Sequence, residues 1–325
     1  MRKKLAAMLL AVVMAAGLLS LSACGGTGEA PGPDGSANSA ASEPPTAANT
    51  PEPFSGPTGE VVASGEAGES ITWTFYSDGT LVISGRGEIK DYRGNPPWWY
   101  YENNGSLIKV VIEDGITRIG KSAFSVEYGS LTSVVIPNSV TSIGEAAFSW
   151  CSNLTDVTIP NSVTTIEGKA FFRCYSLTSV TIPDGVTSIG DWAFAHCDSL
   201  TSVTIPNSVI SIGESAFEDC SSLTSVTIPN SVISIGESAF KNCRSLTSAT
   251  IPDGITRIHD WVFGYCGSLT SVTIPDSVTR FGYGAFSGCG SLTDIYYSGS
   301  ENQWMQISYR SESGIPDYAT IHYNS

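Results

Sequence analysis

The chain has 325 residues, of which only 14% are charged, with 31 acidic side chains against 16 basic ones and a formal net charge of −15. So acidic a surface repels phosphate backbones and anionic headgroups, which argues against nucleic acid as a partner and restricts membrane contact to a covalent anchor. Length alone suggests up to two domains, but it guides poorly once a chain repeats itself.

Residues 1–23 read as an address. Arg2, Lys3 and Lys4 precede an apolar run from Leu5 to Leu19 that is too short, and too closely followed by small residues, for a membrane span. A cleaved signal peptide is the expectation. The segment ends in Leu21-Ser22-Ala23-Cys24, which resembles the bacterial lipobox. That resemblance implies a diacylglyceryl lipid attachment at Cys24 and a place on the extracellular face of the bacterial cell membrane. Two acyl chains anchor stably where one is marginal. Residues 24–58 are Gly, Pro, Ser, Ala, Thr and Asn with a few acids, and Phe54 is their one large apolar side chain. Such a segment cannot offset its ordering entropy, and as a coil it tethers over roughly 30–35 Å.

An N-terminal β cap is expected over 59–106. Ser70-Ile71-Thr72-Trp73-Thr74-Phe75 alternates with period two, Asp78-Gly79 marks a tight turn, and Thr80-Leu81-Val82-Ile83 follows, which together predict a hairpin. Pro96-Pro97-Trp98-Trp99-Tyr100-Tyr101 comes next. These aromatics suit a carbohydrate platform or a lid over the first coil. A repeat array exposes its core at each end, which favours the lid.

From 107 to 297 the chain repeats. Leu200–Ser222 and Leu223–Ser245 differ only at Glu218/Lys241, Asp219/Asn242 and Ser221/Arg244, so every apolar residue is kept. Leucine recurs every 23 residues from Leu131 to Leu292, cysteine from Cys151 to Cys289 and phenylalanine from Phe148 to Phe286. An earlier coil starting at Leu107 has Glu113 in place of proline and one extra residue near Tyr128, which makes eight coils and a ninth strand. In the coil Leu177–Ser199, Leu177, Val180 and Ile182 point inward from a short strand that Pro183 ends, and Asp184-Gly185 turns the chain. Val186 and Ile189 return inward, and Gly190 is expected to supply a backbone conformation that side chains resist. Asp191 is expected to start a short helical turn that packs Ala193 and Phe194 inward, and Cys197 closes the coil. Its seven or eight apolar groups contribute on the order of 10–20 kcal/mol, no more than the ordering entropy of the coil. One coil alone should not fold.

The pattern LxxVxIPxxVxxIGxxAFxxC over 107–297 resembles the leucine-rich repeats of the BspA-like class. The resemblance implies a curved α/β solenoid, mostly β, with its strands in one continuous parallel sheet. It also implies a family found mostly on cell surfaces, some of whose members bind host or neighbouring-cell proteins, with no shared catalytic residues. Departures such as Glu167-Gly168, inverted relative to the usual Gly-Glu, touch one coil each. Beyond the coils, 298–325 should form a C-terminal cap. Ser300 caps a short helix carrying Trp304 and Ile307, and Ala319–Tyr323 forms a strand over the open edge.

Little of this is catalytic. One cysteine per coil makes a line, whereas zinc needs convergence, and parallel side chains in odd number argue against disulfides. A small buried residue is the simpler reading. His196, His259 and His322 are scattered, with His259 expected to face solvent, and no phosphate loop, GxSxG elbow or HExxH occurs. The acids Glu145, Asp191, Glu214, Glu237 and Asp260 suit helix starts better than a cation-collecting stripe. No enzyme, metal or cofactor is expected.

For a partner, the outward Ser/Thr rows (Ser179/Thr181, Ser202/Thr204 and their repeats), expected on a concave face, lack interface anchors. Ice binding through these rows would need a flat sheet. The better candidates are Trp150, Phe172, Tyr175, Trp192, Trp261 and Tyr265, large aromatics around the repeated Phe, although packing between coils is the simpler explanation of them. Two functions follow: a displayed, non-catalytic adhesion module for a host or neighbouring-cell protein or glycan, or a structural spacer without a specific ligand.

Overall fold

The computed structural model describes residues 56–125, 129–308 and 310–324. The expected signal peptide, Cys24, nearly all of the tether and the insertion near Tyr128 lie outside the described residues.

The hairpin forms as its alternation predicts, with strands Ile71–Tyr76 and Thr80–Gly85 antiparallel and Trp73 opposite Ile83. Asp78 accepts the backbone N–H groups of Thr58, Gly59 and Thr80. These bonds, that from Thr58 foremost, hold its carboxyl down at about 2. A further strand, Val61–Glu66, pairs outside Ile71–Tyr76. It carries no alternation to betray it, since Val61 and Val62 are both exposed. Thr80–Gly85 then pairs in parallel with Lys109–Ile112, so the hairpin is also the first rung of the solenoid ladder. Trp98 is fully buried, stacks on Phe124 at 5.4 Å and donates its Nε1–H to Ala123 O at 2.9 Å. Tyr101 stacks on Phe75 at 4.0 Å. Both rings close the first coil, as a lid does.

Each coil has three sides. The first carries the expected strand, with Ser179–Thr181 pairing in register with Ser202–Thr204, one repeat away. The expected single sheet is interrupted here. Six strands run from the cap to Asp156–Val157, and four more from Ser248–Thr250 to the C-terminus. Between them lie the pair Ser179–Thr181 and Ser202–Thr204 and a lone bridge from Thr204 to Thr227. The second side is a further parallel ladder of two-residue rungs, among them Ser142–Ile143, Thr165–Ile166, Ser188–Ile189 and Ser211–Ile212. Rungs of two residues are too short to show a period.

The third side overturns the expected helical turn. Among the described residues, α-helices occur only in the caps, at Trp99–Asn103 and Glu301–Gln306. At Asp191 the chain instead enters a run of turns that bonds outward to the next coil. Trp192, Phe194 and His196 donate their N–H groups to the carbonyls of Glu214, Ala216 and Glu218 at 2.7–2.9 Å.

The core is a column of stacked rings. Phe124, Phe148, Phe171, Phe194, Phe217, Phe240, Phe263 and Phe286 lie 5.3–5.7 Å apart and within 12° of parallel. Each such pair adds about 0.5–1.5 kcal/mol beyond area burial. The seven cysteines beside it are buried and unbridged. Each points its Sγ at a Phe carbonyl of the preceding coil, as Cys197 does at Phe171 O (3.4 Å) and Cys289 at Phe263 O (3.0 Å).

Glycine 190 serves a different purpose from the one expected. Its φ is not positive; a Cβ there would sit 2.5 Å from Gly168 N of the preceding coil. The residue is small because two coils touch. At the far end Ser300 and Gln303 form a capping box on Glu301–Gln306, and Trp304 is buried against Phe281 and Tyr297. Strand Thr320–Tyr323 pairs in parallel with Asp294–Tyr297, and Ser313 O accepts the N–H of Phe286, closing the last coil.

Candidate binding surface

The third side carries the variable residues on an unusual backbone. Two positions four residues apart bracket the repeated Phe with positive φ: Ala146 and Trp150 (54° and 67°) in one coil, Lys169 and Arg173 (59° and 62°) in the next, then Trp192 and His196 (60° and 58°). The same positions hold Trp261 and Tyr265 (57° and 60°), and finally Gly284 and Gly288. Glycine adopts this region freely, whereas a bulky residue is held there at a cost of order 1–3 kcal/mol. Aromatic side chains therefore stand at the positions whose backbone suits them least.

The structure sorts the six aromatic candidates into groups. Phe172 lies edge-on to both Trp150 and Trp192, each at 6.1 Å. Arg173, which the sequence did not single out, lays its guanidinium over Trp150 at 3.9 Å and Phe172 at 5.1 Å. His196, also unanticipated here, meets Phe172 edge-on at 5.5 Å. Trp261 and Tyr265 form a separate pair, stacked at 5.6 Å and 6°, with Tyr283 edge-on to Trp261. They lean on the next coil, where a Cβ on Gly284 would meet Trp261 at 2.9 Å and one on Gly288 would meet Tyr265 at 2.6 Å. That is packing between coils. Tyr175 makes no ring contact with either group among the described residues. The missed positions had one signal in the sequence: the last coil places glycine at both 284 and 288, the residue that positive φ favours.

The acids do not start helices. Asp191 Oδ1 accepts Glu214 N–H at 2.8 Å, Asp260 Oδ1 accepts Tyr283 N–H at 3.1 Å, and Glu167 Oε2 accepts Glu145 N–H at 2.9 Å. Each carboxylate ties two coils. Glu145 also meets Lys121 Nζ at 2.5 Å. A groove of about 540 Å³ opens beside Trp192, lined by Glu145, Glu167, Gly168, Lys169 and Asp191. His259, expected to face solvent, is instead half-buried, and burial with the nearby Arg257 charge pushes its pKa down. Among the described residues, no three His, Cys, Asp or Glu side chains converge as metal ligands would.

A family model described as "BspA type leucine rich repeat region" matches the chain in six copies, over 99–200 and 187–315. No curated protein matches. Among solved structures, a leucine rich cell surface protein from Faecalibacterium prausnitzii is 28% identical, covering 77% of this chain and 97% of its own with a TM-score of 0.38. The T. pallidum leucine rich repeat protein is 25% identical, over 79% of this chain and 100% of its own, at a TM-score of 0.43. The pneumococcal vaccine antigen PcpA is 14% identical, over 82% and 99%, at 0.39.

Proposed function

Because the chain belongs to the BspA-type leucine-rich repeat family, we propose that it is a non-catalytic recognition module displayed on a bacterial surface for a protein or glycan of a host or neighbouring cell. The observation that carries this reading is the placement of Trp150 and Trp192 at left-handed backbone positions. Stacking does not require aromatics there, because coils with Ser215 or Ser238 at the position of Trp192, and Asp219 or Asn242 at that of Trp150, bond equally well to their neighbours. Strained backbone held in register along one rim is a pattern that clusters at binding sites. The cluster of Trp150, Phe172, Arg173 and Trp192 also has the aromatic and arginine composition that dominates recognition energetics. Display is assigned to the lipid anchor on Cys24 and the tether that follows it, which would lift the folded part from the membrane.

The near-identity of coils 200–222 and 223–245 favours a second reading, a spacer that sets a distance and binds nothing. One experiment separates the two. The doubly substituted Trp150→Ala, Trp192→Ala protein should retain its thermal midpoint within a few degrees while adhesion to cells or extracellular matrix falls at least about tenfold. Unchanged adhesion at unchanged stability would leave the spacer.

A further inference from the structure

The groove beside Trp192 is nearly charge-balanced in a strongly acidic protein. Glu145 is matched by Lys121 at 2.5 Å. Glu167 lies 3.6 Å from Arg118, whose other contact is Asp91 at 2.7 Å. Asp191 and Lys169 supply one further charge of each sign. A cationic ligand would find most of the carboxylates already countered, and an anionic ligand would face the residual excess plus the −15 of the whole chain. A neutral ligand meets neither penalty.

What remains uncommitted is hydrogen-bonding capacity beside an aromatic ring. Asp191 spends only Oδ1, on Glu214 N–H, and Glu145 spends Oε2 on Lys121. Among the described residues, Asp191 Oδ2, Glu145 Oε1 and Lys169 Nζ have no partner. They offer two acceptors and a donor. Among the described residues, the one ring that touches Trp192 is Phe172, at 77°, and no ring is stacked on the indole. Trp261, by contrast, is covered by Tyr265 at 6°. A volume of about 540 Å³ falls within the range of small-ligand clefts.

We propose that this groove binds a short neutral saccharide, with the C–H face of a pyranose ring on Trp192, hydroxyls donating to Asp191 and Glu145, and a hydroxyl accepting from Lys169. The inference rests on the recognition reading above and names the ligand class for that same surface. A charge-balanced wall of carboxylates and a lysine suits a polyol, whose hydroxyls both donate and accept, while the apolar ring face suits the indole.

The test is a titration of the full chain with neutral glucose, galactose and mannose oligosaccharides, followed by calorimetry and tryptophan fluorescence at about 50 mM and about 500 mM salt. At least one saccharide should bind with an affinity that changes less than about twofold with salt. Trp192→Ala should weaken it at least about tenfold and Asp191→Asn measurably, while Trp261→Ala should leave it unchanged. Trp192→Asn, whose side chain tolerates a left-handed backbone, serves as the second variant if the alanine form misfolds. Absence of binding by every saccharide would overturn the proposal, as would binding that survives loss of Trp192. So would preference for a lysine-rich peptide that weakens with salt. If cell adhesion depends on Trp192 while no saccharide binds or competes, the saccharide assignment falls and the recognition module stands. If adhesion ignores Trp150 and Trp192, the module itself falls.

Discussion

Cysteine ends each coil because it is small enough to sit beside the phenylalanine column and still donates a weak hydrogen bond to a Phe carbonyl one coil back. Desolvation raises all seven thiols, Cys289 up to about 12. Native protein at pH 8 should therefore leave these seven unmodified by a thiol reagent over hours, and guanidinium should release them all. Rapid labelling of folded protein would contradict the buried ladder. Glu102 is the opposite case, a carboxyl in the N-terminal cap that is 1% exposed, with both oxygens unbonded and Trp98 Nε1 already committed to Ala123. Burial pushes its pKa up to about 8 from 4.5, and the neighbouring Tyr92 hydroxyl, also unbonded, is pushed up to about 12. The folded state thus keeps a proton that the unfolded chain releases. This group lowers stability progressively as pH rises from 4.5 to about 8, and the full loss is present above that. Glu102→Gln should leave stability at pH 4 nearly unchanged and raise it by a few kcal/mol at pH 9, read from urea melts at both pH values.

Within one coil, the apolar spacing, the proline stop and the turn residues were all legible, because strand and turn chemistry is local. The corner at Ala-Phe was not. Asp191 before Ala193-Phe194 reads as a helix start, yet the backbone alternates into the left-handed region at Trp192 and His196, where its N–H groups reach the next coil. A neighbour 22 residues away decides that conformation, and no local propensity records it. The same neighbour explains the glycines. A Cβ at Gly213 would sit 2.7 Å from Asp191 N, whereas one at Gly290 meets nothing within 4 Å. Gly213→Ala is expected to cost about 2–3 kcal/mol through overpacking. Gly290→Ala should be neutral or stabilise by a few tenths of a kcal/mol by restricting the unfolded chain. Denaturant midpoints of the two variants give the comparison, and equal effects would mean that the coils do not touch at this row. The candidate surface was half legible: the sequence named Trp150, Phe172 and Trp192, while Arg173 joins them only through a cation–ring contact across coils.

Across the whole molecule, stability comes from repetition and the ends need separate treatment. The hairpin strand Thr80–Gly85 and Trp98 cover the first coil, and Trp304, Ser313 and Thr320–Tyr323 cover the last. Trp98→Ala uncaps Phe124 and should cost about 3–5 kcal/mol, with hydrogen exchange rising first in the N-terminal coils. Each coil contacts its two neighbours and little else, so removing one unit in register should be tolerated. Deletion of residues 200–222 would let coil 177–199 meet coil 223–245, whose apolar residues match those removed. The most direct measurement is circular dichroism and hydrogen exchange on the isolated pair of coils 200–245, beside the full chain lacking 200–222. If 23-residue units fold only by burying their apolar sides in one another between capped ends, the pair is unfolded and the deletion variant melts cooperatively. A pair that folds cooperatively by itself, or a deletion that unfolds the remaining chain, would contradict it.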